Sequence, residues 1–317
     1  MLPQVSVIIP SYNSGSWIRE CVNSVLRQSY PNLEIIVVDD GSQDSTSQIL
    51  SEFDGKIRFM QFEHRGVGAA RNAAIEAAGG EFIAFLDSDD LWEEDKIRKQ
   101  LDFLWQNQQY CMLYSDAEEF DGSGKRGRFF TKFPCLASDA DIAESMVLHW
   151  AIPLTSTVVI RRDFLQQHGI GFHPVASCAE DMSLFLEICL HGGKIGRLDE
   201  CLAKRRLHSA NTSGSHYNRF LERLIVYRDL LHKYPDAPRR SRDVLRAGLR
   251  DANFRVGEWH WGQLKLDKAR QYFREGIGLD GMGMRCCLFW GLTLAPKKAI
   301  LILKNLKQRG RPANAQL

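Results

Sequence analysis

Through its first 120 residues the chain switches repeatedly between two spacings of apolar residues. Val5–Ile9, Leu33–Val38, Ile57–Met60 and Phe82–Leu86 are short runs rich in β-branched and aromatic residues, the pattern of strands buried on both faces. Between them the spacing turns helical. Trp17, Ile18, Cys21, Val22, Val25 and Leu26 fall on one face of a helix, and Thr46–Phe53, Ala69–Ala78 and Asp95–Trp105 repeat the arrangement. Strands alternating with helices predict an α/β fold built on a mainly parallel sheet, with ligands at the carboxyl ends of the strands.

Residues 120–133 are rich in Gly, Lys and Arg and predict a loop or a hairpin excursion. Strand-like Ser156–Ile160, helix-like Met182–Leu190, and strand-like Lys194–Leu198 and Leu202–Leu207 follow. From Tyr217 onward the pattern is nearly all helical, and Leu264–Gly276 resembles the second helix of a helical repeat, although one unit is no array. This divides the chain into an α/β domain over 1–216, with halves at about 1–116 and 117–216, and a helical region over 217–317.

Composition changes the picture in one respect. The 317 residues are 44% hydrophobic and 25% charged, ordinary for a globular protein, with a net charge of +2. Residues 218–317, however, hold 21 Lys/Arg against 9 Asp/Glu, whereas the preceding part holds 20 against 30. The eight cysteines show no C-x-x-C spacing and read as reduced, mostly buried residues. The start of the chain runs into a strand without a leader pattern, and no apolar run reaches about 18 residues, so a cytoplasmic protein is expected.

Three strand ends carry chemistry. In Asp87-Ser88-Asp89-Asp90, two carboxylates at i and i+2 on extended chain would point to one side, as a divalent cation shared with phosphate oxygens requires; an acidic turn capping the next helix is the plain alternative. In Asp39-Asp40-Gly41-Ser42-Gln43-Asp44, an ionised Asp39 could accept a base N–H, while Asp40 and Asp44 serve the turn and the next helix start. In His64-Arg65-Gly66-Val67-Gly68-Ala69-Ala70-Arg71-Asn72, glycines lead into a helix with an Arg one turn in, a place for phosphate. These glycines do not form a G-x-G-x-x-G fingerprint, which argues against NAD.

Taken in order, Ile8-Ile9-Pro10-Ser11-Tyr12-Asn13, these three segments and Ala179-Glu180-Asp181 resemble the family 2 glycosyltransferases, inverting enzymes of the GT-A fold. The resemblance covers about Val5 to Ser213. It implies a Rossmann-like GT-A sheet flanked by helices with the C-terminal helices as an appendage. It implies that Pro10, Tyr12 and Asp39 line a base pocket, that Arg71 helps hold the nucleotide, and that Asp87, with Ser88 beside it, contacts the ribose. Asp89 would bind Mn²⁺ or Mg²⁺ bridging the diphosphate, and Asp181 would be the catalytic base. Met182 stands where many members carry an aromatic residue.

Lys204–Ser213 resembles the basic strand and H-x-x-x-x-S loop that follow the sugar site in this family, which nominates His208 as a further metal or diphosphate contact; a surface histidine beside a turn is the alternative. Glu180 and Trp150 are candidates for the acceptor side, although acidic residues at a helix start also simply complement its dipole. Trp92 and Trp105 fit a helix packed on the sheet and read as core.

The expected activity is metal-dependent, inverting transfer of a hexose from a nucleotide sugar, with UDP the expected carrier, to a glycan or lipid-linked hydroxyl in surface polysaccharide synthesis. Residues 284–309 combine apolar bulk with Lys297, Lys298, Lys304, Lys307 and Arg309, a composition suited to peripheral contact with the inner face of an anionic membrane, each basic residue contributing roughly 1 kcal/mol. Packing of that segment on protein is the alternative. Nucleic acid is not an expected partner, because the basic residues form no recognised motif. A nucleotidyltransferase would place a basic Gly-rich loop after the first strand, and Pro10–Gly15 has no Lys or Arg. A non-catalytic carbohydrate-binding or scaffold protein is the remaining rival, set against it the retained Asp39, Asp87, Asp89 and Asp181.

Overall fold

A computed structural model describes residues 2–137, 141–209, 216–279 and 284–294. The chain divides into two compact units, Met1–Ser213 and Gly214–Leu317.

The first unit opens with β1 (Val5–Ser11), α1 (Ile18–Leu26), β2 (Leu33–Asp39), α2 (Thr46–Ser51), β3 (Arg58–Gln61), α3 (Val67–Ala77) and β4 (Phe82–Phe85). Every residue of β1 and β4 is buried, which is why these strands read as continuous apolar runs instead of alternating ones. On α1 the buried residues Ile18, Cys21, Val22 and Val25 form the expected stripe, and a fully buried Val or Ile contributes about 1.5–3 kcal/mol. β1 pairs in parallel with β2 and with β4, and β2 with β3, so the sheet runs β3-β2-β1-β4. The order reverses between β1 and β4, and a crevice is expected where their carboxyl ends diverge.

The remainder of the unit comprises β5 (Leu91–Trp92), α4 (Lys96–Gln106), β6 (Tyr110–Asp121), β7 (Gly124–Arg128), α5 (Phe129–Lys132), α6 (Ile142–Leu148), β8 (Val159–Arg161), α7 (Arg162–His168), α8 (Glu180–Leu190) and β9 (Lys194–Arg206). From β4 the sheet continues through β8, β6 and β9 to β5; β8 and β5 run antiparallel to their neighbours, while β6 and β9 are parallel. The result is a mixed, mainly parallel GT-A-like sheet with helices around it. The Gly- and basic-rich stretch forms a β6–β7 hairpin followed by α5. The two strand-like stretches after residue 193 join into the single β9, which follows β6 through register shifts near Ser115 and Asp116.

Two expectations need correction. Trp92 is buried, but in the short strand β5, where its indole N–H donates to the Ser156 carbonyl at 2.7 Å. Trp105 is 64% exposed and belongs to no core, because α4 turns Ile97, Leu101 and Leu104 inward instead. Cys21, Cys111, Cys178, Cys189, Cys201, Cys286 and Cys287 are free thiols, three of them buried and four half-buried.

The second unit contains α9 (His216–Lys233), α10 (Arg239–Gly262), α11 (Leu266–Ile277) and α12 (Met284–Leu292). Its apolar centre is Phe254, Trp261, Ala269, Phe273 and Cys286, with Phe289 and Trp290 packed against it. Thus much of the apolar bulk of residues 284–294 faces its own unit, leaving Leu288 and Leu294 exposed. Lys297, Lys298, Lys304, Lys307 and Arg309 lie outside the described residues. Among the described residues no helix is long and apolar enough to cross a membrane.

Candidate active site

The carboxyl ends of β1 and β2 are fastened together by side chains. Asn13 takes a left-handed backbone (φ 49°), accepts the Gln43 N–H on Oδ1 and donates its own N–H to Ser42 Oγ, both at 2.8 Å. Ser14 N–H donates to Thr46 Oγ1, and Gly15 N–H to Asp44 Oδ2. Asp44 also accepts from Thr46 at the start of α2, the helix-start role expected of it. Asp40 receives the N–H groups of Arg65 and Gly66, each at 2.8 Å, and fixes the loop leading into α3. Gly41 sits at φ 81°, and a Cβ there would stand 3.0 Å from the His64 nitrogen, so its freedom lets that loop close down.

Pro10 lies inside this frame, and Tyr12 stands out of it, 46% exposed and stacked on His64 with ring centroids 4.3 Å apart. His64, held by Asp40 at 2.9 Å, extends the aromatic face that Tyr12 presents. Asp39 is fully buried. Its oxygens accept from Ser42 N–H and hydroxyl, Ser47 Oγ at 2.9 Å and Gln61 Nε2 at 3.1 Å.

Beyond β4, Asp87–Asp90 forms a turn closed by the Asp90 N–H on the Asp87 carbonyl, not the extended segment expected. The turn sends its carboxylates different ways. Asp87 accepts from Arg71 Nη2 at 2.6 Å, Asp89 Oδ2 lies 2.9 Å from His208 Nε2, and Ser88 Oγ meets Ser14 Oγ at 2.7 Å. Asp90, a residue the sequence pattern did not single out, anchors the turn: it accepts the Ser156 hydroxyl at 2.6 Å and the Arg206 N–H at 2.9 Å. Burial, then Asp89 and Asp87, push Asp90 well above the ordinary carboxylate range. Burial and Asp87 also raise Asp89, with His208 pulling the other way.

Arg71 is buried, and its guanidinium joins two distant segments by donating to Asp87 and, at 2.7 Å, to Glu180 Oε1, 109 residues away. Its neighbour Asn72 holds the same distant segment, pairing its amide with the N–H and carbonyl of Phe172, both at 2.8 Å. Gly68 allows the approach, since a Cβ there would meet the His173 carbonyl oxygen at 2.6 Å. These contacts bring the start of α8, with Glu180 and Asp181, to the Asp87 turn. Asp181 is half-buried; its Oδ1 accepts the Met182 N–H and its Oδ2 lies 3.4 Å from Thr155 Oγ1. Trp150 is half-buried, with a left-handed backbone at φ 55°.

Burial, with Asp181 beside it, pushes Glu180 up to about 8 against the pull of Arg71. A carboxyl raised above its unfolded value of about 4.3 stabilises the fold below that pH and loses the contribution as pH rises toward the folded value. The Tm of the parent chain should therefore fall more steeply from about pH 5 to pH 9 than that of Glu180→Gln. Parallel curves would mean that Glu180 is ionised throughout.

The donors around Asp89 suit a hard cation. Asp89 Oδ2 and His208 Nε2 meet as a hydrogen-bonded pair 2.9 Å apart, a carboxylate oxygen and an imidazole nitrogen that would both be acceptable ligands for Mn²⁺. Among the described residues no group of three or more His, Cys, Asp or Glu is placed to enclose an ion. Two protein ligands completed by phosphate oxygens and water is how Mg²⁺ is ordinarily held at substrate sites. Ala210–Ser213, the rest of the H-x-x-x-x-S segment, lie outside the described residues.

A GT-A-like sheet with carboxylates gathered at its strand ends defines the fold class. Comparison with known proteins makes it specific: the sequence model described as Glycosyl transferase family 2 matches residues 6–164, half of the chain, and the protein belongs to that family of transferase enzymes. TuaG of Bacillus subtilis strain 168, a glycosyltransferase assigned to teichuronic acid biosynthesis, is 33% identical over 238 residues, 72% of this chain and 88% of TuaG. WfgD of Escherichia coli, a UDP-Glc:α-D-GlcNAc-diphosphoundecaprenol β-1,3-glucosyltransferase, is 39% identical over 127 residues, 39% of this chain and half of WfgD. The fold is shared with residues 1–349 of Staphylococcus aureus TarS in complex with UDP-GlcNAc, at TM-score 0.66 and 24% identity over 86% of this chain and 79% of the TarS chain.

Proposed function

We propose that this chain transfers a sugar, with inversion, from a UDP-sugar to a hydroxyl of a glycan or lipid-linked acceptor during synthesis of a cell-surface polysaccharide. The observation that carries the reading is the Arg71 bridge, which brings the carboxylate turn after β4 and the acidic start of α8 into one place although they lie far apart in sequence. The names of TuaG and WfgD support the polysaccharide setting, and WfgD and the TarS complex support a UDP-sugar. Residues 1–216 would carry the donor and acceptor halves, and residues 217–317 the appendage.

On this reading the base lies against Tyr12 and Pro10, with Asp39 shaping the pocket floor through Ser42 and Gln61. Asp87 receives the ribose while Arg71 holds its carboxylate in place, and Ser88 keeps the turn tied to Ser14. Asp89 and His208 would hold Mn²⁺ or Mg²⁺, which when bound offsets the negative charge that grows on the diphosphate leaving group. An acceptor hydroxyl is a weak nucleophile at neutral pH, so Asp181 takes its proton as it attacks the anomeric carbon, and one displacement inverts that centre. Glu180 and Trp150 lie on the acceptor side. Holding Trp150 left-handed costs of order 1–3 kcal/mol, strain of a kind that clusters at binding sites. Leu288 and Leu294, with the basic residues that follow them, suit peripheral contact with an anionic membrane, where a lipid-linked acceptor would reside.

The test is thermal stabilisation by UDP, GDP, dTDP and CDP, each with and without Mn²⁺. A Mn²⁺-dependent shift with UDP is expected, and Asp89→Asn should reduce the Mn²⁺-dependent part to near zero. An unchanged Mn²⁺ enhancement in that variant removes Asp89 from the metal site. No shift with any nucleotide overturns the donor reading.

A further inference from the structure

His208 is held on one side by Asp89 and on the other by a residue with no assigned role. The Trp17 indole lies against the imidazole with ring centroids 4.0 Å apart and an interplanar angle of 19°. Trp17 is in turn fixed at the entrance to α1, where its N–H and that of Ile18 both donate to the Ser14 carbonyl at 2.9 Å. Ser14 Oγ then meets Ser88 Oγ at 2.7 Å, in the turn that carries Asp89. The contacts close into a ring: Asp89 to His208, His208 to Trp17, Trp17 to Ser14, Ser14 to Ser88, and Ser88 to Asp89 by one peptide bond.

A second fastening lies one turn along α1. Glu20 Oε2 accepts from Arg206 Nη2 at 2.6 Å, and the same guanidinium donates through Nε to the Asp89 carbonyl at 3.0 Å while lying 4.7 Å from the centre of the Phe120 ring. Trp17, just before α1, and Glu20, in its first turn, thus address His208 and Arg206, at and just beyond the end of β9.

From this arrangement we infer that Trp17 is a positioning residue that holds the His208 ring at the orientation its metal contact requires. The inference rests on the proposed donor reading and extends it to a side chain that touches neither donor nor metal. Ligating imidazoles are ordinarily oriented by an outer partner, and loss of such a partner typically lowers metal affinity 10–100-fold. Here a stacked indole fixes the plane of the ring. Phenylalanine keeps a stacking face, and alanine removes it.

The experiment titrates Mn²⁺ into UDP-loaded protein, with free Mn²⁺ read by electron paramagnetic resonance and UDP affinity read by calorimetry with and without metal. Trp17→Ala is expected to weaken Mn²⁺ binding by about tenfold or more while leaving metal-free UDP affinity unchanged, and Trp17→Phe to recover most of the loss. Asp89→Asn and His208→Ala serve as references. If both lose Mn²⁺ while Trp17→Ala binds it within about twofold of the parent, the positioning role is overturned and the metal site stands. If Asp89→Asn and His208→Ala bind Mn²⁺ like the parent, the metal reading itself falls and takes the inference with it. Equal losses of metal-free UDP affinity in Trp17→Ala and Trp17→Phe would place Trp17 in the nucleotide site or the fold, which also overturns it.

Discussion

Asp181→Asn is expected to bind UDP as the parent chain does and to lose transfer by roughly 10²–10⁴-fold in kcat, the usual contribution of a placed general base. The carboxamide keeps the shape and can still accept the Met182 N–H on its carbonyl oxygen, so the start of α8 should not move. What it lacks is a site for the acceptor proton. Single-turnover transfer at saturating donor, beside calorimetric UDP affinity, separates the two effects. A kcat within about threefold of the parent would assign the base to another group, and the neighbouring Glu180 would be the first to test.

The second large effect is expected from Arg71→Met. Removing the buried guanidinium takes the ionic partner from Asp87 and the donor from the buried Glu180 carboxyl, and leaving these groups unsatisfied costs about 3 kcal/mol. At roughly 2–4 °C per kcal/mol for a domain of this size, Tm should fall by about 10 °C. Transfer should fall as well, because Asp87 and the start of α8 would no longer be referenced to each other. Arg71→Lys keeps a charge but cannot reach both carboxylates with a planar fork, so it should recover part of the stability and little of the transfer. If Arg71→Met keeps parent-like Tm and kcat, the bridge holds neither the fold nor the site.

The frame of the fold was legible because it depends on local spacing. The runs of β1, β2 and β4 announce themselves as strands because they are largely buried, and the Ile18–Val25 stripe announces α1; Ile57–Met60 gives a strand too, but β3 is the sheet's edge and largely exposed instead of covered on both faces. β6 was harder. Its twelve residues mix Tyr, Cys, Ser, Asp and Glu because Asp116 and Glu119 are buried polar residues that pair with Arg128 and Arg205, and the buried Ser115 hydroxyl donates to the neighbouring Asp116 carbonyl; no spacing rule shows that. Trp105 misled for the opposite reason, an aromatic at helical spacing that the sheet never covers.

Within the candidate site, individual residues were legible and their relations were not. Asp87 and Asp89 could be picked as a pair, but the turn parts them, one toward Arg71 and one toward His208. Arg71 could be read as a phosphate contact from its place on α3, whereas burial gives it to two carboxylates, one of them 109 residues on. Asp90 carried no signal of its own, being one more acid in an acidic turn, and Trp17 was legible only as part of the apolar face of α1; the partners of both are non-local.

The pairing of Asp89 with His208 spans 119 residues, and everything from β5 to β9 lies between them. The chain between them is therefore an excursion whose two ends meet at the Asp89–His208 pair. The entropy of closing such an excursion grows only with the logarithm of its length, so lengthening or exchanging the β6–β7 hairpin and the segments before α8 costs little as long as both ends still meet. Under the proposed function, such an arrangement would let new acceptors be explored in the middle of the chain while the chemistry of the leaving group stays fixed at the seam.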